Sequence, residues 1–329
     1  MIYIENRCTD PAHNLAMEQY FFETLPAGRS CFMLWQNCPA VIIGRYQNTV
    51  EEINERFVRE NGIRVVRRMT GGGAVYHDLG NLNYSFISPV ADAAELDFSF
   101  FCQPIIRALA SLGVRAEVSG RNDIVIDGKK VSGTAQHVGG GRVLHHGTLL
   151  FDVDFSRMAS ALTPNKGQVV SDSSKSVRAR VTNIREHLGT DTDMEGFWSL
   201  LRQNIVDAQS MPVYNITDAD EAAAAAIARG RYDTWDWNYG LSPACAVRKT
   251  RRVEGCGTLQ IGLDVENGRI RALTLHGDFF ARQPFDAVIN ALIGRRLEAA
   301  DCADALRGMD VSDYIHRLGT EDFLRAVLD

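Results

Sequence analysis

Ile124-Val125-Ile126-Asp127-Gly128-Lys129-Lys130-Val131-Ser132-Gly133-Thr134-Ala135-Gln136-His137 decides the fold class. Two extended runs flank Asp127-Gly128, a two-residue turn whose left-handed backbone suits the twist of a hairpin. A further extended stretch follows at once, from Val143 to Val153. Hairpins joined with no helix between them build an antiparallel or mixed sheet, not a doubly wound one.

Upstream, Asp10 caps a helix that opens at Pro11. Short apolar runs at Cys31–Trp35, Val41–Ile43, Ile63–Val66 and Leu82–Ile87 have strand lengths and turn residues at their ends. A helix is expected from Pro104 to Leu112, stopped by Gly113, and another from about Asp193 to Gln209. The alanine run Ala222–Ala226 adds a third helical segment. Beyond Ser242-Pro243 the pattern changes: Thr258–Val265 and Arg269–Leu275 flank the turn Glu266-Asn267-Gly268, and two or three short helices follow. The expected class is α+β, with a catalytic domain over 1–243 and a small α+β domain over 244–329.

The chain has 329 residues, 45% hydrophobic and 23% charged, with a formal net charge of -6. That acidity gives no general field for nucleic acid. Seven scattered cysteines, Cys8, Cys31, Cys38, Cys102, Cys245, Cys256 and Cys302, form no CxxC pair, against both a zinc ribbon and a disulfide framework. No signal peptide is visible, and apolar stretches fall far short of the ~20 residues that span a bilayer. A cytoplasmic protein with no membrane partner is expected.

Three segments carry chemistry. In Arg67-Arg68-Met69-Thr70-Gly71-Gly72-Gly73-Ala74-Val75-Tyr76-His77-Asp78, a strand ending in two arginines runs into three glycines. Backbone without Cβ atoms lets N–H groups approach an anion, and arginines supply bidentate charge to phosphate. A tight turn with solvent-facing arginines fits the same letters. It is neither a Walker A loop nor a GxGxxG turn. In the second segment, Lys130 alternates with Val131, so an inward lysine needs an anion, while a solvated hairpin tip is the other reading. Asn122 and Asp123 are oxygen donors of the kind magnesium takes. The third is His145-His146-Gly147-Thr148-Leu149-Leu150, where tandem histidines on a strand face opposite sides, so at most one enters any site. With no spaced third ligand, a zinc site is rejected.

Together, RRxTGGGAVYHDxGNxNxS, GRNDIxxxGKKxSGTA and HHGTLL resemble the lipoate–protein ligase family, as do Ser176–Ile184 and Trp235-Asp236-Trp237-Asn238. The resemblance implies the catalytic fold shared with biotin protein ligases and octanoyltransferases. It implies adenylation of lipoate by Mg-ATP and transfer of the lipoyl group to a lysine. The acceptors would be lipoyl domains of 2-oxoacid dehydrogenase complexes and the glycine cleavage H protein.

Carried over by position, Arg68 and the backbone of Gly73, Ala74, Val75 and Tyr76 would hold ATP and then lipoyl-AMP. Lys130 would contact carbonyl and phosphate, His77, Asn83 and His146 would line the cleft, and Asn122 and Asp123 would face the metal. Trp35 and Gly133 match positions near the lipoyl tail. Bipartite members of the family rearrange their two domains between the half-reactions, which implies a mobile accessory role for 244–329. A thioester acyltransferase is disfavoured, since no cysteine lies between Cys102 and Cys245. A lipoyltransferase using preformed lipoyl-AMP, or a non-catalytic paralogue that only binds it, shares the same pocket.

Overall fold

Extended runs of two to eleven residues become strands in the computed structural model, which describes residues 1–90, 98–120, 123–162, 180–242, 245–277, 279 and 281–329. In chain order the first eleven are β1 (Ile2–Glu5), β2 (Cys31–Gln36), β3 (Ala40–Ile43), β4 (Arg64–Arg67), β5 (Val75–His77), β6 (Asn81–Pro89), β7 (Glu117–Ser119), β8 (Asp123–Ile126), β9 (Lys129–Gly139), β10 (Arg142–Leu150) and β11 (Val213–Tyr214). Eight of them form one mixed sheet in the order β11-β1-β2-β6-β10-β9-β8-β7. Only β1 pairs parallel, with β11 and β2; the remaining neighbours are antiparallel. Asp127 and Gly128 have φ of 50° and 75°, the mirror-image turn that closes the β8–β9 hairpin. A small second sheet, β4-β3-β5, has β3 parallel to β4 and antiparallel to β5.

One face of the large sheet is apolar. Phe32, Leu34, Leu82, Tyr84, Phe86 and Val143 pack there against Phe101, Ile105 and Leu109 of the helix Phe98–Ser111 and Phe197, Trp198 and Leu201 of the helix Met194–Ile205. The first of these helices begins six residues before the expected Pro104. The ring removes one hydrogen bond, to the carbonyl of Phe100, an exposed residue in the first turn of the helix. The alanine run lies in the helix Asp218–Ile227, started by a capping box between Thr217 and Asp220.

Helix α1 (Pro11–Thr24) opens as expected, with Asp10 accepting from the backbone of Ala12 and His13. It is buried on nearly every side and encloses the polar residues Asn14, Glu18 and Gln19.

The described chain divides into two compact units. The first holds 1–45, 62–162 and 180–234; the second holds 46–61 and 235–329. In the second, β12 (Cys245–Val253), β13 (Gly257–Glu266) and β14 (Arg269–Gly277) form an antiparallel meander. Asn267 and Gly268, with φ of 52° and 68°, make its second turn. Three short helices, Asp286–Leu292, Ala299–Ala305 and Thr320–Leu328, bury Val288, Cys302 and Phe323 against Leu259, Ile261 and Leu263. The segment 46–61 belongs to this unit: Thr49 Oγ1 donates to the carbonyl of Asn238 at 2.6 Å, and Arg59 pairs with Asp329 at 2.9 Å. Sequence reading kept that segment with the first domain.

Candidate active site

Strand register sorts side chains onto the two faces of the large sheet. Trp35 of β2 pairs with Asn83 of β6, which pairs with Thr148 of β10. One row along, Met33, Ser85, His146 and Ala135 are partners, and Gly133 stands opposite Asp123. All therefore share the face away from the apolar core. A cavity opens over it, bounded by Trp35, Asn83, Lys130, Gly133, Thr134, Ala135, His146 and Thr148, by Leu15 of α1, and by Ile42, Arg68, Gly72–Val75 and His77 of the small sheet and its loop. His145 faces the other way and stacks on Phe101, ring centroids 4.9 Å apart. The pair of histidines divides between core and cavity.

Lys130 reaches this face because of a bulge. Ile124 pairs with Ser132 and Val125 with Lys130, so Val131 is an extra residue in β9. The shift in parity puts Lys130 on the side of Gly133, where its Nζ lies 2.8 Å from Asp123 Oδ1. A Cβ on Gly133 would come within 2.8 Å of that nitrogen. The main chain of Lys130 is bound on its outer edge, with its N–H on the carbonyl of Arg180 and its carbonyl accepting from Thr182.

Both arginines of the glycine segment are buried. Arg67 Nη1 donates to the carbonyls of Gly44 and Arg45. Arg68 is 5% exposed and makes four hydrogen bonds inside its own chain. Nε donates to Thr70 Oγ1 at 2.9 Å, Nη1 to Ile42 at 3.1 Å, and Nη2 to Gly71 and Gly73 at 2.6 and 2.9 Å. The solvent-facing alternative is thereby removed, and so is a simple bidentate fork, since most of the N–H groups are committed to shaping the loop. Gly72 holds φ of 91°, and a Cβ there would sit 3.0 Å from Arg68 Nη2.

His77 presents a donor. Asn14 Nδ2 donates to Asn37 Oδ1 at 2.8 Å, which orients the Asn37 amide so that its Nδ2 donates to His77 Nδ1 at 3.0 Å. The hydrogen of the neutral ring is then on Nε2, which is buried without a partner among the described residues. Burial, then the charge of Arg68, pushes this ring down to about 3, so it stays neutral at physiological pH. Asn83 accepts from Asn81 through Oδ1 at 2.9 Å, leaving Nδ2 buried and, among the described residues, unpartnered. Two unmet N–H groups and the Lys130 ammonium make this a wall built for an anion.

Of the described residues singled out from sequence, Tyr76 and Asp123 do not line the cavity; Tyr76 lies on β5, buried and facing Arg157. Asp123 touches the site through Lys130; Asn122 lies outside the described residues. Glu18 and Thr70 were missed. Nothing local marks Glu18 among the residues of an ordinary helix; its burial comes from strands far along the chain. Among the described residues no group of three or more His, Cys, Asp or Glu is gathered to hold a metal. The lone carboxylate of Asp123 still suits magnesium, which keeps several waters and takes other ligands from phosphate.

Residues 10–206 match the family model described as lipoyl protein ligase A/B catalytic domain, and 242–327 match the bacterial lipoate protein ligase C-terminus. Lipoate-protein ligase LplJ of Bacillus subtilis (strain 168) is 42% identical over 98% of this chain and 99% of its own. Three solved structures share the fold. The bi-partite lipoate protein ligase of Thermoplasma acidophilum, studied with its E2 lipoyl domain, has a TM-score of 0.65 and 26% identity, covering 73% of this chain and 96% of its own. A T. acidophilum protein with bound lipoic acid and lipoate-protein ligase A bound with ATP each give 0.63 and 25%, covering 73% of this chain and 98% of theirs.

Proposed function

The chain belongs to the lipoate–protein ligase family and is a lipoate–protein ligase; from that premise we propose that the cavity between Arg68, Lys130 and His146 is where lipoate is adenylated. The observation that carries this reading is the donor-rich wall. Lys130, the His77 N–H and the Asn83 amide converge on one space. Glu18, a buried carboxylate beside it, is turned toward Ser85 and His146.

Lipoate carboxylate and ATP repel each other, so activation needs positive charge where the attacking oxygen and the α-phosphate meet. Lys130 supplies it as a point charge. Its ammonium already sits against Asp123 and can exchange that partner for phosphate and carbonyl oxygens. His77 and Asn83 donate to the anionic groups and exclude water from the mixed anhydride. Gly73, Ala74 and Val75 offer backbone, and Arg68 sets the shape of that backbone while adding a buried charge. Trp35 and Gly133 fit the acyl end. Magnesium, held by Asp123 and Asn122, would neutralise the polyphosphate when bound.

Pyrophosphate leaves, and the acceptor lysine amine then attacks the lipoyl carbonyl, with AMP as leaving group. The acceptors are lipoyl domains of 2-oxoacid dehydrogenase complexes and the glycine cleavage H protein. ATP dependence supports a cytoplasmic setting, and among the described residues no helix is long and apolar enough to cross a membrane. Lipoate-dependent ATP–pyrophosphate exchange, followed by the mass of a lipoyl domain after incubation, tests the proposal. Transfer from supplied lipoyl-AMP with no exchange would replace it with a lipoyltransferase.

A further inference from the structure

Glu18 is a carboxylate in the middle of α1, only 2% exposed. Its Oε1 accepts the hydroxyl of Ser85 at 2.6 Å, and Ser85 Oγ accepts the Trp35 indole N–H at 2.8 Å. The two carboxylate oxygens lie 3.0 and 3.1 Å from His146 Nδ1. Across that ring, Nε2 is 2.8 Å from Thr70 Oγ1, which accepts the Nε–H of Arg68. An unbroken chain of hydrogen bonds thus joins a buried carboxylate to the guanidinium that ties the glycine segment together.

The hydrogens in this chain have one arrangement that satisfies every atom. A carboxylate accepts only, so His146 Nδ1 carries a hydrogen. One lone pair of Thr70 is taken by Arg68, and its own hydrogen has His146 Nε2 as a neighbour. A neutral imidazole then accepts that hydrogen. An imidazolium would instead donate to Thr70, displace the threonine hydrogen, and set a second cation close to Arg68.

We propose that Glu18 is a positioning residue: it holds His146 as the neutral Nδ1–H tautomer, so that Thr70 fixes Arg68 and, through it, the carbonyls of Gly71 and Gly73. The consequence for adenylation rests on the reading of this cavity given above; the tautomer itself does not. Orientation of a working ring by a buried carboxylate is how outer hydrogen bonds govern reactive sites generally. Here the ring passes that constraint on to a loop.

The test uses the full-length protein with 15N-labelled histidine, the His146 signals being assigned by their loss in His146→Gln. The wild-type ring is expected to be neutral with hydrogen on Nδ1. Glu18→Leu removes both acceptor oxygens, and should move the hydrogen to Nε2. It should also lower kcat for exchange by at least ~10-fold without a matching fall in Tm. Thr70→Val breaks the chain beyond the ring, so Nδ1 should stay protonated while the rate falls, and Thr70→Ser should restore the rate. An imidazolium in the wild type, an unmoved hydrogen in Glu18→Leu, or a wild-type rate in Thr70→Val overturns the proposal. If Glu18→Leu does not fold, the wild-type spectrum and the Thr70 pair decide. A wild type with the expected tautomer but no exchange activity would count against the adenylation site alone.

Discussion

Lys130 Nζ stands 2.8 Å from Asp123 Oδ1, in the space that a Cβ on Gly133 would crowd. The lysine is therefore held ready by one carboxylate and by the lack of a side chain. Lys130→Ala should cut lipoate-dependent exchange by at least ~10²-fold while the fold persists, because a charge acting on the transition state is gone. Lys130→Arg should recover only part of it, since a planar fork does not replace a point charge. Gly133→Ala should displace the end of the lysine rather than the backbone, lowering exchange with little change in Tm. Exchange near the wild-type rate in Lys130→Ala would take this residue out of the chemistry.

Gly72 and Gly73 should respond differently to valine. Gly72 has φ of 91° and Arg68 Nη2 beside its missing Cβ, so Gly72→Val strains the backbone by about 1–3 kcal/mol and loses ATP binding as well. Gly73 has open space around its Cβ position. Gly73→Val should keep its melting temperature and lose affinity for ATP and lipoyl-AMP, as read by calorimetry. Equal losses of stability and binding at Gly73 would mean a purely structural turn.

Burial pushes His145 down to about 3. An unfolded histidine binds its proton near pH 6.5, so between about pH 6.5 and 3 the unfolded chain holds the extra proton. Stability from this group is complete above pH 6.5 and is lost as the pH falls, by up to about 1.4 kcal/mol per unit. His145→Phe should flatten the acid limb of stability measured by urea unfolding between pH 6.5 and 4. An acid limb as steep as the wild type's would mean that other groups set it.

We propose that residues from about 244 onward act after adenylation has a product to protect. A protein ending near Leu241 should transfer from supplied lipoyl-AMP but make lipoyl-AMP poorly from ATP and lipoate. Val50 packs against the core of the second unit, so the deletion also strips partners from 46–61, and the melting curve is the necessary control. A proportional fall in both activities, with a lower Tm, would sink the idea.

Short-range chemistry was legible in the sequence. Asp127-Gly128 and Asn267-Gly268 adopt the left-handed turn conformations their residue types favour, because a two-residue turn is decided by its own backbone. The division of His145 and His146 between core and cavity follows from strand alternation alone. The mixed sheet follows from hairpins lacking crossover helices, and the motif order carried the family.

Tertiary structure decided the rest. Only packing shows that Arg67 and Arg68 turn inward, because the carbonyls that neutralise them come from Ile42, Gly44 and Arg45 on a neighbouring strand and loop. The extra residue at Val131 leaves no mark on hydrophobic periodicity, yet it selects the face on which Lys130 acts. Segment 46–61 joins the second unit through contacts with residues nearly two hundred positions away. Glu18 and His146 are 128 residues apart, and their hydrogen bond exists only where α1 lies over β10. Periodicity and turn chemistry are written in neighbours along the chain; a buried polar network is written between strangers, and only the folded backbone brings them within 3 Å.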